Sequence, residues 1–182
     1  MGSQKEHSHH IIRKKLEIDP SGGSDMLEDR THPIKLPPVE QVGIVVKDIE
    51  RTVKHYETTF GWGPFNIAEV NLEGCMFHGK PTDCRLKMAF ASSGPIEIEL
   101  IQVLEGDSPH KEFLDQKGEG IHHLRFSVDD LEGTLAEWAK DGIEPVWQHS
   151  MPEFGVSWAY VNTDTLGGVM AELIEIKQAL TR

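Results

Sequence analysis

The chain has 182 residues and a formal net charge of −12, from 18 Lys and Arg residues against 30 Asp and Glu residues. Its length and its 38% share of hydrophobic residues fit one globular unit, or two small half-domains that share a core. The acidic charge argues against a nucleic-acid partner, and no apolar run reaches the roughly 18–20 residues that a membrane span needs. With only Cys75 and Cys84 as cysteines, the sequence predicts neither a disulfide framework nor a thiolate metal cage, and a cytoplasmic location is expected.

Residues 1–25 are typical of an expression leader. They lack the apolar core of a signal peptide, and Met26 suits a natural start. The segment holds a broken histidine run, a basic patch and a Ser-Gly-Gly-Ser stretch, at His7, His9, His10, 13–15 and 21–24. Residues 26–37 are predicted to be an N-terminal extension of the folded part.

The rest of the sequence repeats one pattern. Segment 39–50 is echoed by 121–132, and each indicates a strand that runs into a helix behind an Asp N-cap. The predicted helices cover 49–60 and 131–140, and Gly61 and Gly142 follow them as C-cap residues. Three further strands are predicted in each half, at 65–72, 85–91 and 96–101, then at 144–149, 156–162 and 169–174.

This order predicts an α+β protein made of two βαβββ modules that form one concave mixed sheet. The first module is expected over 38–104 and the second over 120–176. A linker over 105–119 carries a short helix at 109–116, and 177–182 form a C-terminal tail.

Strand alternation predicts which side chains share a face, because neighbouring residues of a strand point to opposite sides of a sheet. Ile96, Ile98 and Leu100 lie opposite Glu97 and Glu99, and the other repeat-related strands behave in the same way. One face of each strand therefore suits packing under a helix. The other face mixes small or apolar residues with single polar ones, which is typical of a semi-enclosed binding surface.

Four polar residues occupy matched places in the repeat. Gln41 corresponds to His123, and Glu99 corresponds to Glu172, so a pseudo-twofold axis brings all four to one place. One amide oxygen, one imidazole and two carboxylates suit one divalent ion, such as Zn²⁺, Ni²⁺, Co²⁺, Mn²⁺ or Fe²⁺. Against this stands the ordinary interpretation of each residue alone, which is a solvated side chain.

At these residues the chain resembles the vicinal oxygen chelate superfamily, the glyoxalase/bleomycin-resistance/extradiol-dioxygenase group, over about 38–176. It is most similar to methylmalonyl-CoA epimerase-like members, on segments 55–62, 99–101, 107–109, 113–114, 118–123 and 167–173. The resemblance implies paired βαβββ modules, a homodimer and one divalent metal on the concave sheet. It places the metal ligands at Gln41, Glu99, His123 and Glu172.

The sequence departs from the epimerase-like pattern at two positions. Those members generally have His where this chain has Gln41, and the order Gln, Glu, His, Glu is similar to the zinc ligands of eukaryotic-type glyoxalase I. The second acid/base carboxylate of the epimerases aligns with Lys87. A two-base mechanism in this chain then needs Lys87 as the acid, or another partner such as Glu97.

Three functions remain open on these grounds. The first is a metal-dependent isomerase or lyase that moves a proton next to a carbonyl or acyl thioester, with Glu172 or Glu99 carrying the proton. The alternatives are an extradiol-type dioxygenase, whose iron normally needs two histidines and one carboxylate, and a non-catalytic protein that binds a small molecule. Candidate substrate-binding residues are Arg125 and Arg85, for an anionic group, and Trp158, for an apolar cleft.

Overall fold

A computed structural model of the chain describes residues 35–162 and 167–177. The predicted leader, 1–25, lies outside the described residues, as do most of the extension and all but the first residue of the tail. The described strands are β1 Gln41–Val45, β2 Asn66–Phe77, β3 Lys80–Ser93, β4 Ile96–Gly106, β5 Gly120–Ser127, β6 Pro145–Met151, β7 Val156–Val161 and β8 Met170–Ile176. The described helices are α1 Ile49–Phe60, α2 Pro109–Lys117 and α3 Leu131–Ala139, with a 3-10 turn at Pro152–Phe154.

The predicted helices agree with the structure to within one residue. Asp48 and Asp130 are the N-caps of α1 and α3, and each side chain accepts a hydrogen bond of 2.9 Å from a backbone N–H of the first helical turn. None of the helices in the described part of the chain is long and apolar enough to cross a membrane.

Strands β2 and β3 are longer than the sequence predicts. They continue into a hairpin with a two-residue turn at His78 and Gly79, where both residues have positive φ (48° and 72°). Such a turn matches the twist of the paired strands. Strand β4 likewise continues to Gly106, beyond the predicted end of the first module at residue 104.

The eight strands pair in the order β1-β4-β3-β2-β6-β7-β8-β5 and close into a barrel. The mixed sheet is confirmed, since β1 is parallel to β4 and antiparallel to β5. The concave sheet that the sequence predicts is closed at one edge, where β2 meets β6 through the pairs Met76–Gln148 and Phe77–Trp147. Alternation in a strand specifies its two faces but not the edge that it pairs with, so the closure was not predictable from the pattern.

The described apolar residues form three clusters, two between the barrel wall and a helix and one inside the barrel. The clusters under α1 and α3 contain the residues that alternation assigned to the helix side, among them Ile98, Leu100, Ala171 and Leu173. The third cluster fills part of the interior, with buried residues Leu72, Cys75, Cys84, Leu86, Ile101, Trp147, Trp158 and Tyr160. The opposite faces of β1, β4, β5 and β8 therefore turn their polar side chains inward.

Candidate metal centre

Gln41, Glu99, His123 and Glu172 meet inside the barrel, and we call them the quartet. They come from β1, β4, β5 and β8, and each is at most 7% exposed. Nε2 of His123 lies 3.1 Å from Oε2 of Glu172, 3.2 Å from Oε2 of Glu99 and 3.3 Å from Oε1 of Gln41. Three oxygens from three different strands therefore converge on one nitrogen.

A β-bulge brings two consecutive histidines of β5 to the barrel interior. Gly43 pairs with His123 and Ile44 pairs with Ile121, which leaves His122 as the extra residue. A bulge interrupts the alternation of side chains and re-aims them. Both imidazoles are accordingly fully buried, whereas strict alternation would turn them to opposite faces.

Gly43 provides the space that the His123 ring occupies. A Cβ atom on Gly43 would lie 2.0 Å from Cε1 and 2.3 Å from Nε2 of His123. Because such distances are far below van der Waals contact, no side chain can stand at position 43 while the ring keeps its place. The position of His123 thus depends on the absence of a side chain on the neighbouring strand.

The donor atoms of the quartet fit a divalent transition ion. Ligand atoms about 2.1 Å from a common ion lie about 3.0–3.4 Å apart, from octahedral to tetrahedral geometry. The three contacts of His123 Nε2, at 3.1–3.3 Å, fall in this range. One N–H can serve only one of three acceptors well, and Oε2 of Glu172 is left without a hydrogen bond although it lies within ion-pair distance.

The charges of the quartet also suit a cation. Burial raises the pKa of Glu99, against the lowering effect of the nearby His123. Burial alone would lower the pKa of His123, but the carboxylates of Glu172 and Glu99 outweigh it and raise the value to about 9. Even a protonated His123 leaves one negative charge in the quartet when both carboxylates are ionised. A divalent ion would neutralise two buried carboxylates, which are costly when unpaired.

Glu97 orients the amide of Gln41. Gln41 and Glu97 are paired in register on the parallel strands β1 and β4. Nε2 of Gln41 donates a hydrogen bond of 2.7 Å to Oε1 of Glu97, so the amide oxygen is the atom that faces His123. Nη2 of Arg125 donates to the same carboxylate oxygen over 3.3 Å. Partners of this kind hold metal ligands in place.

The loss of this hydrogen bond is predicted to weaken metal binding. In Glu97→Leu the amide of Gln41 loses its acceptor, and we expect the dissociation constant for zinc to rise about 10–100-fold. In Glu97→Gln a carbonyl oxygen remains as acceptor, so binding should recover most of its strength. Zinc titration against a chromogenic chelator measures both variants. Equal affinities for Glu97→Leu and the unmodified chain would contradict the assigned role.

Lys87 and Arg85 do not reach the quartet, which corrects their assignment as acid and substrate-binding residue. Both alternate with Leu86, whose side chain packs in the interior, so they lie on the outer face of β3. The Lys87 ammonium forms an ion pair with Glu50 of α1. Arg85 forms ion pairs with Glu69 and with Glu105. The sequence showed that the two share a face, but not which face that is.

Arg125 and Trp158 lie on the inner side of the barrel. Arg125 is paired in register with Glu172 on β8, and its Nε is buried without a hydrogen-bond partner. Trp158 belongs to the interior cluster and is 8% exposed. Tyr160, two residues further along the same face of β7, is the aromatic residue beside the quartet, with its ring centroid 4.9 Å from that of His123.

Sequence reasoning missed three residues next to the quartet: Tyr160, His122 and His110. The period-two spacing from Trp158 could have indicated Tyr160. Nothing in the sequence signals the bulge that buries His122. His110 stands in the first turn of α2 and is 1% exposed, with its ring centroid 4.7 Å from that of His122. Burial lowers the pKa of both His110 and His122 well below the usual value.

Residues 40–160 match the family model of the Glyoxalase/Bleomycin resistance protein/Dioxygenase superfamily. This match covers more than half of the chain and includes three of the four quartet residues. Among curated proteins, YqjC of Bacillus subtilis (strain 168), an uncharacterized protein, is 26% identical over 142 residues, which are 76% of this chain and 92% of that protein.

Solved structures with the same fold include methylmalonyl-CoA epimerases. The Streptomyces coelicolor enzyme in complex with 2-nitronate-propionyl-CoA has a TM-score of 0.58 and 23% identity, over 79% of this chain and 100% of that one. The Mycobacterium tuberculosis enzyme has a TM-score of 0.58 and 20% identity, over 82% and 95%. At these identities the similarity establishes the glyoxalase-like fold.

Proposed function

Since the chain belongs to the glyoxalase/bleomycin resistance protein/dioxygenase superfamily, we propose that it is a metal-dependent isomerase that transfers a proton next to a carbonyl. The preferred substrate class is a 2-branched acyl thioester. The substrate class is supported by the epimerases of the same fold, one of which is described in complex with methylmalonyl-CoA.

The convergence of three buried oxygens on Nε2 of His123 is the observation that carries this proposal. Gln41, Glu99, His123 and Glu172 would hold one ion of Zn²⁺, Ni²⁺, Co²⁺, Mn²⁺ or Fe²⁺. Such an ion polarises a carbonyl oxygen and makes the neighbouring C–H more acidic. Beside these four ligands, an ion of this kind would also accept oxygen atoms of the substrate.

The two carboxylates of the quartet supply the proton transfer in this proposal. Glu172 would remove the proton from the carbon next to the carbonyl, because its carboxylate lies 3.1 Å from Nε2 of His123 and so beside the ion that the substrate carbonyl would bind. Glu99, whose Oε2 lies 3.2 Å from the same nitrogen, would return a proton to that carbon. Arg125 stands beside Glu172 with a free Nε and would bind an anionic group of the substrate.

Deuterium exchange tests the proposed reaction. A single epimer of methylmalonyl-CoA, and other 2-methyl acyl thioesters, are incubated with the metal-loaded protein in D₂O. We expect deuterium at C2 by mass spectrometry, loss of exchange after treatment with a chelator, and recovery with one of the five metals. If every metal form leaves all these substrates without deuterium, the isomerase proposal fails.

The two alternative functions, a dioxygenase and a non-catalytic binding protein, predict different results in assays of the same protein. An extradiol-type dioxygenase would consume oxygen with catechols when loaded with Fe²⁺. Its usual set of two histidines and one carboxylate does not occur in the quartet, which contains one imidazole. A non-catalytic binder would bind its ligand equally well after chelation. The homodimer and the cytoplasmic location that the sequence suggests stay predictions, and sedimentation measures the former.

A further inference from the structure

Three imidazoles lie together in the barrel interior, beside the quartet. His110 belongs to α2, and His122 and His123 follow each other in β5. All three are at most 1% exposed, and one ring nitrogen from each lies within 4.8 Å of the others. We call these three histidines the trio.

Apart from Nε2 of His123, which faces the quartet, most ring nitrogens of the trio have no hydrogen-bond partner. Neither nitrogen of His110 makes a hydrogen bond, and Nε2 of His122 makes none. The neighbours on one side are aromatic, since the ring centroid of His110 lies 5.4 Å from those of Trp147 and Tyr160, with the rings nearly perpendicular. Buried polar groups almost always have a hydrogen-bond or metal partner. Unpartnered nitrogens on two adjacent side chains therefore point to a ligand.

His123 faces the quartet and the trio with different atoms. Its Nε2 lies among the oxygens of the quartet, and its Nδ1 lies 3.1 Å from Nδ1 of His122. The bulge makes this possible, because it brings two consecutive imidazoles to the same side of β5. One ring is thus in a position to join two groups of ligands.

We propose that the trio is a second metal site, which takes a zinc-type ion and shares the imidazole of His123 with the quartet. Three imidazoles are a donor set that binds zinc in proteins. Ligand atoms of one tetrahedral ion lie about 3.4 Å apart, so the rings draw together when the ion binds. His110 and His122 are not part of the quartet, so the proposed second site does not depend on the reaction that the quartet catalyses.

Sharing His123 has consequences for the strength of binding. When both sites are filled, neither nitrogen of His123 carries a proton, and the proton of Nδ1 is released to solvent. Two cations joined by one ring also repel each other. The trio therefore fills at a higher zinc concentration than the quartet.

Zinc titration of four proteins tests the second site. The full chain is compared with His110→Leu, Glu172→Gln and the double variant, and His7, His9 and His10 are present in all of them. At the lowest zinc concentration that fills both sites of the unmodified chain, we expect each single variant to bind one equivalent less than the unmodified chain, and the double variant two less. His78→Leu is the matched control, because His78 is a histidine with a 54% exposed side chain outside the trio, and it should bind as the unmodified chain does.

X-ray absorption at the zinc edge identifies which site holds the remaining ion. We expect a predominantly three-imidazole signature in Glu172→Gln and a one-imidazole, oxygen-rich signature in His110→Leu. An equal number of zinc equivalents in His110→Leu and the unmodified chain would overturn the second site and leave the quartet untouched. If only Glu172→Gln loses a zinc equivalent, the second site is likewise excluded. If only His110→Leu loses one, the trio is a metal site and the quartet is not. His110→Phe, which keeps an aromatic ring, replaces His110→Leu if that variant does not fold.

Discussion

Replacement of Glu172 by Gln is expected to lower the rate of deuterium exchange about 10²–10⁴-fold, the usual contribution of a positioned acid or base. The amide keeps the size of the side chain but cannot accept a proton at the pH of the assay. It also leaves the quartet with one negative charge fewer, so the affinity for a divalent ion should fall as well. Exchange is measured at saturating metal, which separates the loss of the base from the loss of the ion.

Glu175→Gln is the matched control for this variant. Glu175 lies on the same strand, β8, and is also 7% exposed, but its side chain accepts a hydrogen bond of 3.4 Å from the backbone N–H of Leu131 in α3. It therefore lies on the helix side of the barrel wall. We expect Glu175→Gln, and Lys87→Met on the outer face of β3, to keep the exchange rate of the unmodified chain. Exchange in Glu172→Gln at that same rate would exclude Glu172 as the base.

Gly43→Ala is expected to displace the ring of His123 and to weaken metal binding about 10–100-fold, as the loss of ligand orientation does. The new Cβ atom would stand 2.0–2.4 Å from three ring atoms of His123. Because the ring is fully buried, it cannot move aside without disturbing its neighbours, and overpacking of this kind costs about 1–3 kcal/mol of stability. Chemical unfolding and zinc titration measure the two effects.

Gly120→Ala provides the control on the neighbouring strand. Gly120 starts β5, and a Cβ atom there would approach the ring of Phe113 no closer than 3.8 Å, which is ordinary contact. We expect its zinc affinity to equal that of the unmodified chain. If Gly43→Ala also binds zinc with unchanged affinity, His123 does not ligate the metal in the position that the structure shows.

The duplicated pattern was sufficient to predict which side chains could form the quartet. The segments around Gln41 and His123 match each other, as do those around Glu99 and Glu172, and strand alternation then places all four on the inner face. This prediction needed only local information, because the period of a strand and the cap of a helix depend on neighbouring residues. The same is true of α1, whose bounds agree with the sequence.

The tertiary structure decided what lies around the quartet. The bulge at His122, the pairing of β2 with β6 and the insertion of His110 from α2 each depend on contacts between segments far apart in the chain. The outer position of Lys87 has the same origin, since alternation groups residues of a strand but does not say which group meets a helix. Residue types and spacing therefore specified the four side chains of the quartet. Packing between strands and α2 specified their environment, because burial and distance are properties of the assembled barrel.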